Sequence, residues 1–249
     1  YSYLTIPSVA ILGLTVEAVR FPAAILGILT VLVVYFLSKE LFNDKIGLWS
    51  SFLIAISPWH IQISRTAFEA NAGILFFSLG LLFFLKWLKN GQNLPLVSLF
   101  WGLTLYTYDA YKFFMGIFIF STILLYRKKL LKKINILPAV IILIFILPFI
   151  FNLQRSMTRV SDVGIISSRV VEGYFKSKIS SPLPQNLDRL FDNKVYFLGN
   201  QLINNYLSYY SPTFFFTDQR SDSSYLNFPY FPLLYPFELI FWLVTVFYL

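Results

Sequence analysis

The sequence predicts an all-α integral membrane protein, a multi-spanning helix bundle of about seven spans with a long extracytoplasmic loop segment. Hydrophobic residues make up 57% of the 249 residues and charged residues only 13%. A soluble domain carries about 25% charged residues, so this chain has too little polar surface to cover itself in water. The 28 Phe and 16 Tyr residues fit the aromatic belts that lie at membrane interfaces.

Apolar runs of about 20 residues mark membrane helices, and shorter runs suit helices packed inside a bundle. We predict spans at residues 20–38, 46–58, 70–88, 94–107, 113–127, 136–151 and 233–249. The second and fourth spans are short and contain Ser, Gly or Thr, which lets neighbouring helices approach closely. The long segment between the last two spans contains several prolines and is expected to form short helices and loops on the outer surface.

The organisation of the chain follows from these spans. The sequence opens at Tyr1 rather than Met and stops at Leu249 inside an apolar run, so we expect a segment of a longer protein. Its predicted parts are the N-terminal part of a transmembrane bundle at 1–151, an extracytoplasmic segment at 152–232, and the start of a further span at 233–249.

Lysine and arginine residues in the short loops predict the orientation in the membrane. One set of loops holds most of the basic residues: Lys39, Lys45, Lys86, Lys89, Arg127, Lys128, Lys129, Lys132 and Lys133. The opposite short loops hold Arg20, Arg65 and Lys112. The first set is therefore predicted to face the cytoplasm, in the plasma (inner) membrane of a prokaryote. Its basic run would lie beside anionic membrane lipids, and nucleic-acid binding explains the net charge of +8 less well.

The composition and the absence of known motifs argue against several classes of functional site. The sequence has no cysteine and one histidine, so thiolate chemistry is excluded and a zinc centre is not indicated. A divalent metal ion bound by carboxylates stays open but is not indicated either. GxxxxGK[ST], GxSxG, HExxH and GxGxxG motifs do not occur. ATP-driven transport, serine hydrolysis, zinc proteolysis and Rossmann-type cofactor binding therefore lose support.

Charged residues at the outer ends of the predicted spans are candidates for chemistry, because charge near the membrane interior is costly. Arg65 and Glu69 are four residues apart and would share one face if this stretch is helical. They could form a simple ion pair that fixes the helix end. They could also provide a cation for a phosphate beside a carboxylate that positions or activates an acceptor hydroxyl. Asp109 and Lys112 repeat the pairing in the next outer turn, where Lys112 could instead merely reach the interface.

Further candidates follow the same predicted outer surface. Arg155 and Arg159 come directly after the sixth predicted span, and two guanidiniums there suit a polyprenyl phosphate or ordinary anionic headgroups. His60 is interpreted as an interfacial hydrogen-bonding residue in contact with sugar or lipid rather than as a general base. Tyr108 and Tyr210 could contact a sugar ring or an isoprenoid tail, or could belong to an interfacial aromatic belt.

Three stretches carry a resemblance to a known family. TVEAVRFPAAILG, continuing to SPWHIQISRTAFEANAG, is followed by YTYDAY and by NYLSYYSPTFFF. In this order they resemble the membrane glycosyltransferases of the GT-C superfamily. The sequence is similar to protein O-mannosyltransferases and to the aminoarabinose transferase of lipid A, which share an SPWHI-type turn and an R-x-x-x-[ED] end. The resemblance covers nearly the whole chain.

The resemblance implies a transferase that moves a hexose or pentose from a polyprenyl-phosphate donor to a lipid, glycan or protein acceptor. The reaction would invert the sugar and take place at the extracytoplasmic face. Glu69 matches the family's second carboxylate, and Arg65 matches the Arg of the same motif. The family's most characteristic acidic residue lies in a first outer loop that would precede Tyr1, so we expect the main catalytic carboxylate there. Basic residues of the family hold the departing phosphate, and the matching positions are Lys112, Arg155 and Arg159.

Functions from other classes stay open at this point. A transporter or flippase of lipid-linked saccharides is the alternative. Transporters place ionisable residues near the bilayer midplane and use broken helices there. The charges in this sequence cluster instead at the outer ends, and Gly80 and Gly116 are the only obvious breaks within spans. A polymerase or ligase of surface polysaccharide, or a purely structural membrane protein, accounts for fewer of these features.

Overall fold

A computed structural model describes residues 1–133, 136–151, 194–216 and 233–241. The regular structure in these ranges is entirely α-helical, which confirms the predicted fold class. The helices are α1 Ser2–Leu12, α2 Val16–Leu41, α3 Asp44–Ile56, α4 Pro58–Arg65, α5 Ala70–Asn90, α6 Leu94–Thr104, α7 Asp109–Lys133, α8 Ile136–Phe151, α9 Lys194–Ser208 and α10 Pro212–Phe216. The chain divides into two compact units, Tyr1–Ile150 and Phe151–Leu249.

Helix length and hydropathy make this a membrane protein but do not confirm the predicted number of spans. Within the described residues, three helices are long and apolar enough to cross a membrane: α2, α5 and the first 22 residues of α7. Helices α3 and α4 would form a fourth span together, but the pair is bent by 60°. Helices α1 and α6 are apolar but shorter. The predicted span at 233–249 is described only as far as residue 241, with helical residues from Glu238 onward.

Two helices were missing from the sequence prediction. The N-terminal residues, which precede the first predicted span, form α1, and the turn after the second predicted span contains α4. Helix α1 is only 11 residues long and contains Pro7, so it has no span-length apolar pattern. Helix α4 begins with Pro58 at its first position, which is where proline suits a helix because its missing N–H is not needed there.

The bend between α3 and α4 has a local cause in the sequence. Ser57 adopts an extended backbone conformation, with φ −61° and ψ 126°. A residue before proline is disfavoured in the helical region, because the proline ring clashes with its backbone. The Ser57–Pro58 pair therefore ends α3, and the chain restarts as α4 in a new direction.

The end of the apolar part of α7 also departs from a straight helix. Tyr126 has non-helical backbone angles, φ −109° and ψ 15°, and produces a kink just before the basic run. The predicted span at 113–127 ended at this position. The apolar and basic parts of α7 are therefore distinct in conformation as well as in composition.

Helix α5 lies at the centre of the first unit and packs against α2 and α6. Its contact with α6 depends on Gly80, where a Cβ atom would overlap the indole ring of Trp101. Trp87 and Met115 are fully buried in the aromatic core beside this contact. Gly80 is thus a close-packing position within a continuous helix rather than a break in a span.

The helices of the first unit alternate in direction, so their ends gather into two groups. The Glu69 end comprises residues 15–20, 57–70 and 104–112. The lysine end comprises residues 39–45, 86–94 and 126–130. Contacts between helices hold each group together, as described below for the Glu69 end.

At the lysine end, several charged side chains contact other parts of the chain. Lys89 forms an ion pair with Glu40 at 2.8 Å, which joins α5 to α2. Lys129, from the basic run, donates to the Leu88 carbonyl oxygen, and its ammonium lies 5.7 Å from the centre of the Trp87 ring. This end is therefore fixed by its own charges.

The described part of the second unit consists of α9, α10 and the turn at 233–237. Ser211 caps α10, because its Oγ accepts a hydrogen bond from the Phe214 amide at 3.2 Å. The Leu234 amide donates to the Phe215 carbonyl at 3.0 Å and ties the turn to α10. Tyr196, Tyr206, Tyr209 and Tyr210 are exposed, whereas the three phenylalanines of α10 are half-buried.

Candidate functional site

The turn between α4 and α5 carries the central pair of candidate residues. Arg65 is the last residue of α4, and Glu69 is the N-cap residue of α5. Thr66 between them is extended, with φ −97° and ψ 142°. The expectation that Arg65 and Glu69 share one face of a helix is therefore wrong, because the helix breaks one residue after Arg65.

The two side chains also do not pair with each other. In the described part of the chain, no ion pair within 4.0 Å joins Arg65 to Glu69. Each charge instead suits its own helix end, since a cation is favourable at a C-terminus and an anion at an N-terminus by about 0.3–1 kcal/mol. The carboxylate of Glu69 makes no capping hydrogen bond. Both side chains therefore stay available to an outside partner.

Two turns that are distant in sequence meet at the Glu69 end. The Phe68 ring packs edge-on against the Tyr108 ring, with centroids 5.3 Å apart. The Tyr111 hydroxyl donates to the Ala70 carbonyl at 3.4 Å. Gly73 allows this approach, because a Cβ atom there would overlap the Tyr111 ring. The structure thus places Tyr108 directly beside the turn that carries Glu69.

Asp109 and Lys112 form an ion pair at the start of α7. Lys112 Nζ lies 2.5 Å from Asp109 Oδ1, and the side chains are 23% and 36% exposed, respectively. Asp109 is in the first turn of α7, where a negative charge is favoured by the helix dipole. Pairing within one helical turn leaves the carboxylate only partly available, so Asp109 differs from the unpaired Glu69.

Arg20 is a residue of this end that the sequence analysis counted but did not select. It lines an open cavity of about 320 Å³ together with Thr15, Val19 and Ala67. Ala67 lies between Arg65 and Glu69, so the cavity adjoins the central turn. Arg65, Glu69 and Lys112 are not among its lining residues. The sequence could have indicated Arg20 through its position, because it is an isolated cation at the start of the first predicted span.

His60 lies beneath the surface of the Glu69 end rather than on it. It is 4% exposed, its ring hydrogen-bonds the backbone of Ile54, and its Nε2 atom has no partner. One helical turn along α4, Ser64 packs against Gly27 of α2. This burial favours a structural role for His60 between α4 and α3.

Asn71 is a second buried polar residue that the sequence analysis did not select. Its side-chain amide donates to the Ala23 carbonyl at 2.8 Å and ties the start of α5 to α2. The residue is fully buried. Because α5 begins one residue earlier, this hydrogen bond fixes the position of Glu69 relative to α2.

The remaining candidates lie outside the first unit. Tyr210 is 57% exposed and packs on Tyr206, with ring centroids 5.0 Å apart. The hydrogen bond with Tyr206 raises the pKa of Tyr210 above its ordinary value. Arg155 and Arg159 lie outside the described residues, so their predicted role stays a prediction. No group of three or more His, Asp or Glu residues suited to a metal ion occurs in the described ranges.

The charges at the two ends of the bundle contrast with each other. At the lysine end, Lys39 pairs with Asp44 at 2.7 Å, and Lys89 pairs with Glu40. At the Glu69 end, Glu17, Arg20, Arg65 and Glu69 form no ion pair among the described residues. The unpaired charges of both signs, which lie at the same end as the paired Asp109 and Lys112, make the Glu69 end a candidate site for a charged ligand.

Comparison with known families adds an independent line of evidence. The family model described as dolichyl-phosphate-mannose-protein mannosyltransferase matches residues 1–151. The chain belongs to this family. No curated protein and no solved structure matches the chain. The membership confirms the resemblance to GT-C glycosyltransferases.

Members of the mannosyltransferase family are glycosyltransferases that use a lipid-linked, dolichyl-phosphate sugar donor. The matched residues include every helix of the first unit and the whole of the Glu69 end. Tyr210 lies outside the match. The family relationship therefore bears on the charged turns and not on the aromatic segment of the second unit.

Proposed function

We propose that this protein transfers a sugar from a polyprenyl-phosphate donor to a lipid, glycan or protein acceptor, with inversion, at the extracytoplasmic membrane face. The observation that carries the proposal is the turn at the Glu69 end. There Arg65 and Glu69 lie at two helix ends without pairing, within the residues that match the mannosyltransferase family. A cation and a carboxylate in one short turn are the two charges that such a transfer requires.

The proposed orientation rests on the charge distribution. Most short-loop basic residues belong to the lysine end, which accordingly faces the cytoplasm under the positive-inside rule. The Glu69 end then faces outward, at the level of the lipid headgroups. A polyprenyl-phosphate donor presents its phosphate at this level, because its tail stays in the hydrocarbon core.

In the proposed reaction the acceptor hydroxyl oxygen attacks the anomeric carbon of the sugar. The bond from that carbon to the phosphate oxygen breaks, and its electron pair leaves with the phosphate. Arg65 would stabilise this developing negative charge, with Lys112, Arg155 and Arg159 as further cations. Glu69 would orient the acceptor hydroxyl or accept its proton, with Asp109 as the second candidate carboxylate.

A transporter or flippase of lipid-linked saccharides is the second candidate. The 60° bend between α3 and α4 favours it, because discontinuous helices form the substrate sites of many transporters. The bend lies beside the Glu69 end rather than in the middle of a long span, since α4 has only 8 residues. A glycosyltransferase with a short surface helix explains this position better.

Reconstitution of the full-length protein in proteoliposomes tests the proposal. Vesicles are supplied with a radiolabelled polyprenyl-phosphate hexose or pentose and with a membrane extract as the acceptor source. We expect the label to move from the polyprenyl lipid into acceptor material, in parallel with release of polyprenyl phosphate. Movement of intact donor between leaflets without release of polyprenyl phosphate would contradict transfer and support transport.

A further inference from the structure

A second surface of the first unit, formed mainly by α3, carries no assigned role. A groove of about 700 Å³ runs between α2 and α3. Its lining includes Val31 of α2 and Lys45, Leu48, Trp49 and Phe52 of α3. The α3 residues recur at intervals of three and four, so they form one continuous stripe along the helix.

The groove is apolar along most of its length but begins at a cation. Leu48, Trp49 and Phe52 are 61%, 66% and 53% exposed. Lys45 stands at the lysine end of the stripe and Ala55 at the other end. Ten residues of α-helix extend about 15 Å, which is half of the hydrocarbon core of about 30 Å. This length is about that of one acyl chain, and it takes the groove along almost the whole of α3.

Lys45 differs from the neighbouring cations in having no partner. Lys39 pairs with Asp44 at 2.7 Å, and Lys89 pairs with Glu40 at 2.8 Å. Lys45 forms no ion pair with any residue of the described ranges. An unpaired ammonium at the end of an apolar groove complements an anion with a long apolar tail.

We propose that this groove binds an anionic diacyl phospholipid of the leaflet at the lysine end. The phosphate of the lipid contacts Lys45, and one acyl chain lies along Trp49 and Phe52 between α3 and α2. Beside this groove, Gly47 brings the α3 backbone close to Tyr35 of α2. The headgroup contact at Lys45 lies at the opposite end of α3 from the Glu69 end, where the transfer reaction is proposed.

Trp49 provides the probe, because an acyl chain in the groove would touch its indole ring. The full-length protein is reconstituted in nanodiscs with a low fraction of phosphatidylglycerol or phosphatidylcholine that carries brominated acyl chains. Bromine quenches tryptophan fluorescence on contact. Subtracting the fluorescence of Trp49→Phe from that of the wild type gives the contribution of Trp49 alone. We expect brominated phosphatidylglycerol to quench Trp49 about fivefold more effectively than brominated phosphatidylcholine does. The attraction of one lysine to an anionic lipid predicts a difference of this size.

Lys45→Gln should remove this preference, and Lys86→Gln should retain it, because Lys86 lies on α5 outside the groove lining. Equal quenching by both lipids would mean ordinary annular lipid and would overturn the proposal. No quenching by either lipid would mean that another segment of the protein covers the groove, which overturns it as well. If Trp49→Phe is not expressed, a second measurement replaces the quenching assay. The amount of phosphatidylglycerol that remains bound after purification is compared between the wild type and Lys45→Gln. Equal amounts would contradict the proposal.

Discussion

Asn71 shows how a single buried amide positions the candidate site. Its side chain donates to the Ala23 carbonyl of α2, and the residue is fully buried. Hydrogen bonds of this kind between membrane helices contribute about 0.6–2 kcal/mol. The sequence could not reveal this bond, because a polar residue early in an apolar run is equally compatible with an exposed helix end.

We expect Asn71→Leu to lower the thermal stability of the purified protein and to weaken sugar transfer, because α5 loses its anchor to α2. The unfolding temperature in detergent, measured by a fluorescent stability assay, checks the first effect. Asn90→Leu is the matched control, since Asn90 ends the same helix and is exposed. Equal stability of the two variants would contradict the anchoring role of Asn71.

Glu69 is the carboxylate most directly placed for the acceptor. Glu69→Gln keeps the shape of the side chain and removes its charge, so we expect transfer to fall by about 10²-fold or more with normal expression. Glu40→Gln serves as the control at the opposite end and should leave the rate within a few-fold of the wild type. The initial rate of label transfer in proteoliposomes measures both. A near-normal rate for Glu69→Gln would remove this residue from the reaction.

At the level of the helices, Gly73 allows the start of α5 to approach the start of α7 closely. A Cβ atom at this position would lie 2.6 Å from Thr107 Oγ1 and would also overlap the Tyr111 ring. Gly73→Val should therefore push α5 away from the start of α7 and reduce transfer by at least tenfold. Gly116→Val is the matched control, because nothing lies within 4 Å of a Cβ atom there. If both variants transfer sugar at the same rate, the contact between the turns does not matter for activity.

The helices also show where sequence patterns succeed and where they fail. Apolar runs located α2, α5 and α7, because length and hydropathy suffice to identify a long membrane helix. Helix α4 was missed because polar residues such as His60, Gln62 and Ser64 interrupt any apolar pattern in it. The prediction that Arg65 and Glu69 share one helical face was wrong, because Thr66 between them is extended. This conformation depends on packing, which the spacing of residues in the sequence does not encode.

For the molecule as a whole, the orientation in the membrane follows from charge counting and is open to direct test. Positions near residues 42, 90 and 130 are expected to face the cytoplasm, and those near 62, 109 and 190 to face outward. Cysteine labelling suits this protein, because the 249 residues contain no cysteine. Phe42→Cys should react only after the cells are permeabilised, and Ala67→Cys and Ala110→Cys should react in intact cells. Outside labelling at position 130 would overturn both the orientation and the assignment of the active face.

The sequence predicted which residues lie together at the Glu69 end, but it did not predict how their side chains are arranged there. Alternation of spans already assigns Arg65, Glu69, Tyr108 and Lys112 to one side of the membrane, and the structure places them at one end of the bundle. The contact between Phe68 and Tyr108 was not readable, because it depends on the packing of α5 against the start of α7. A single cavity that contains Arg65, Glu69 and Lys112 stays a prediction.

The central claim is that the Glu69 end stabilises the departing phosphate of a lipid-linked sugar donor, and Arg65→Ala tests it most directly. Removal of one fixed donor to a developing charge costs about 10²–10³ in rate, so kcat should fall by this factor while KM for the donor changes much less. Lys86→Ala at the lysine end is the matched control and should keep kcat within about twofold of the wild type. A kcat for Arg65→Ala equal to that of the control, with normal expression of both variants, would contradict the claim.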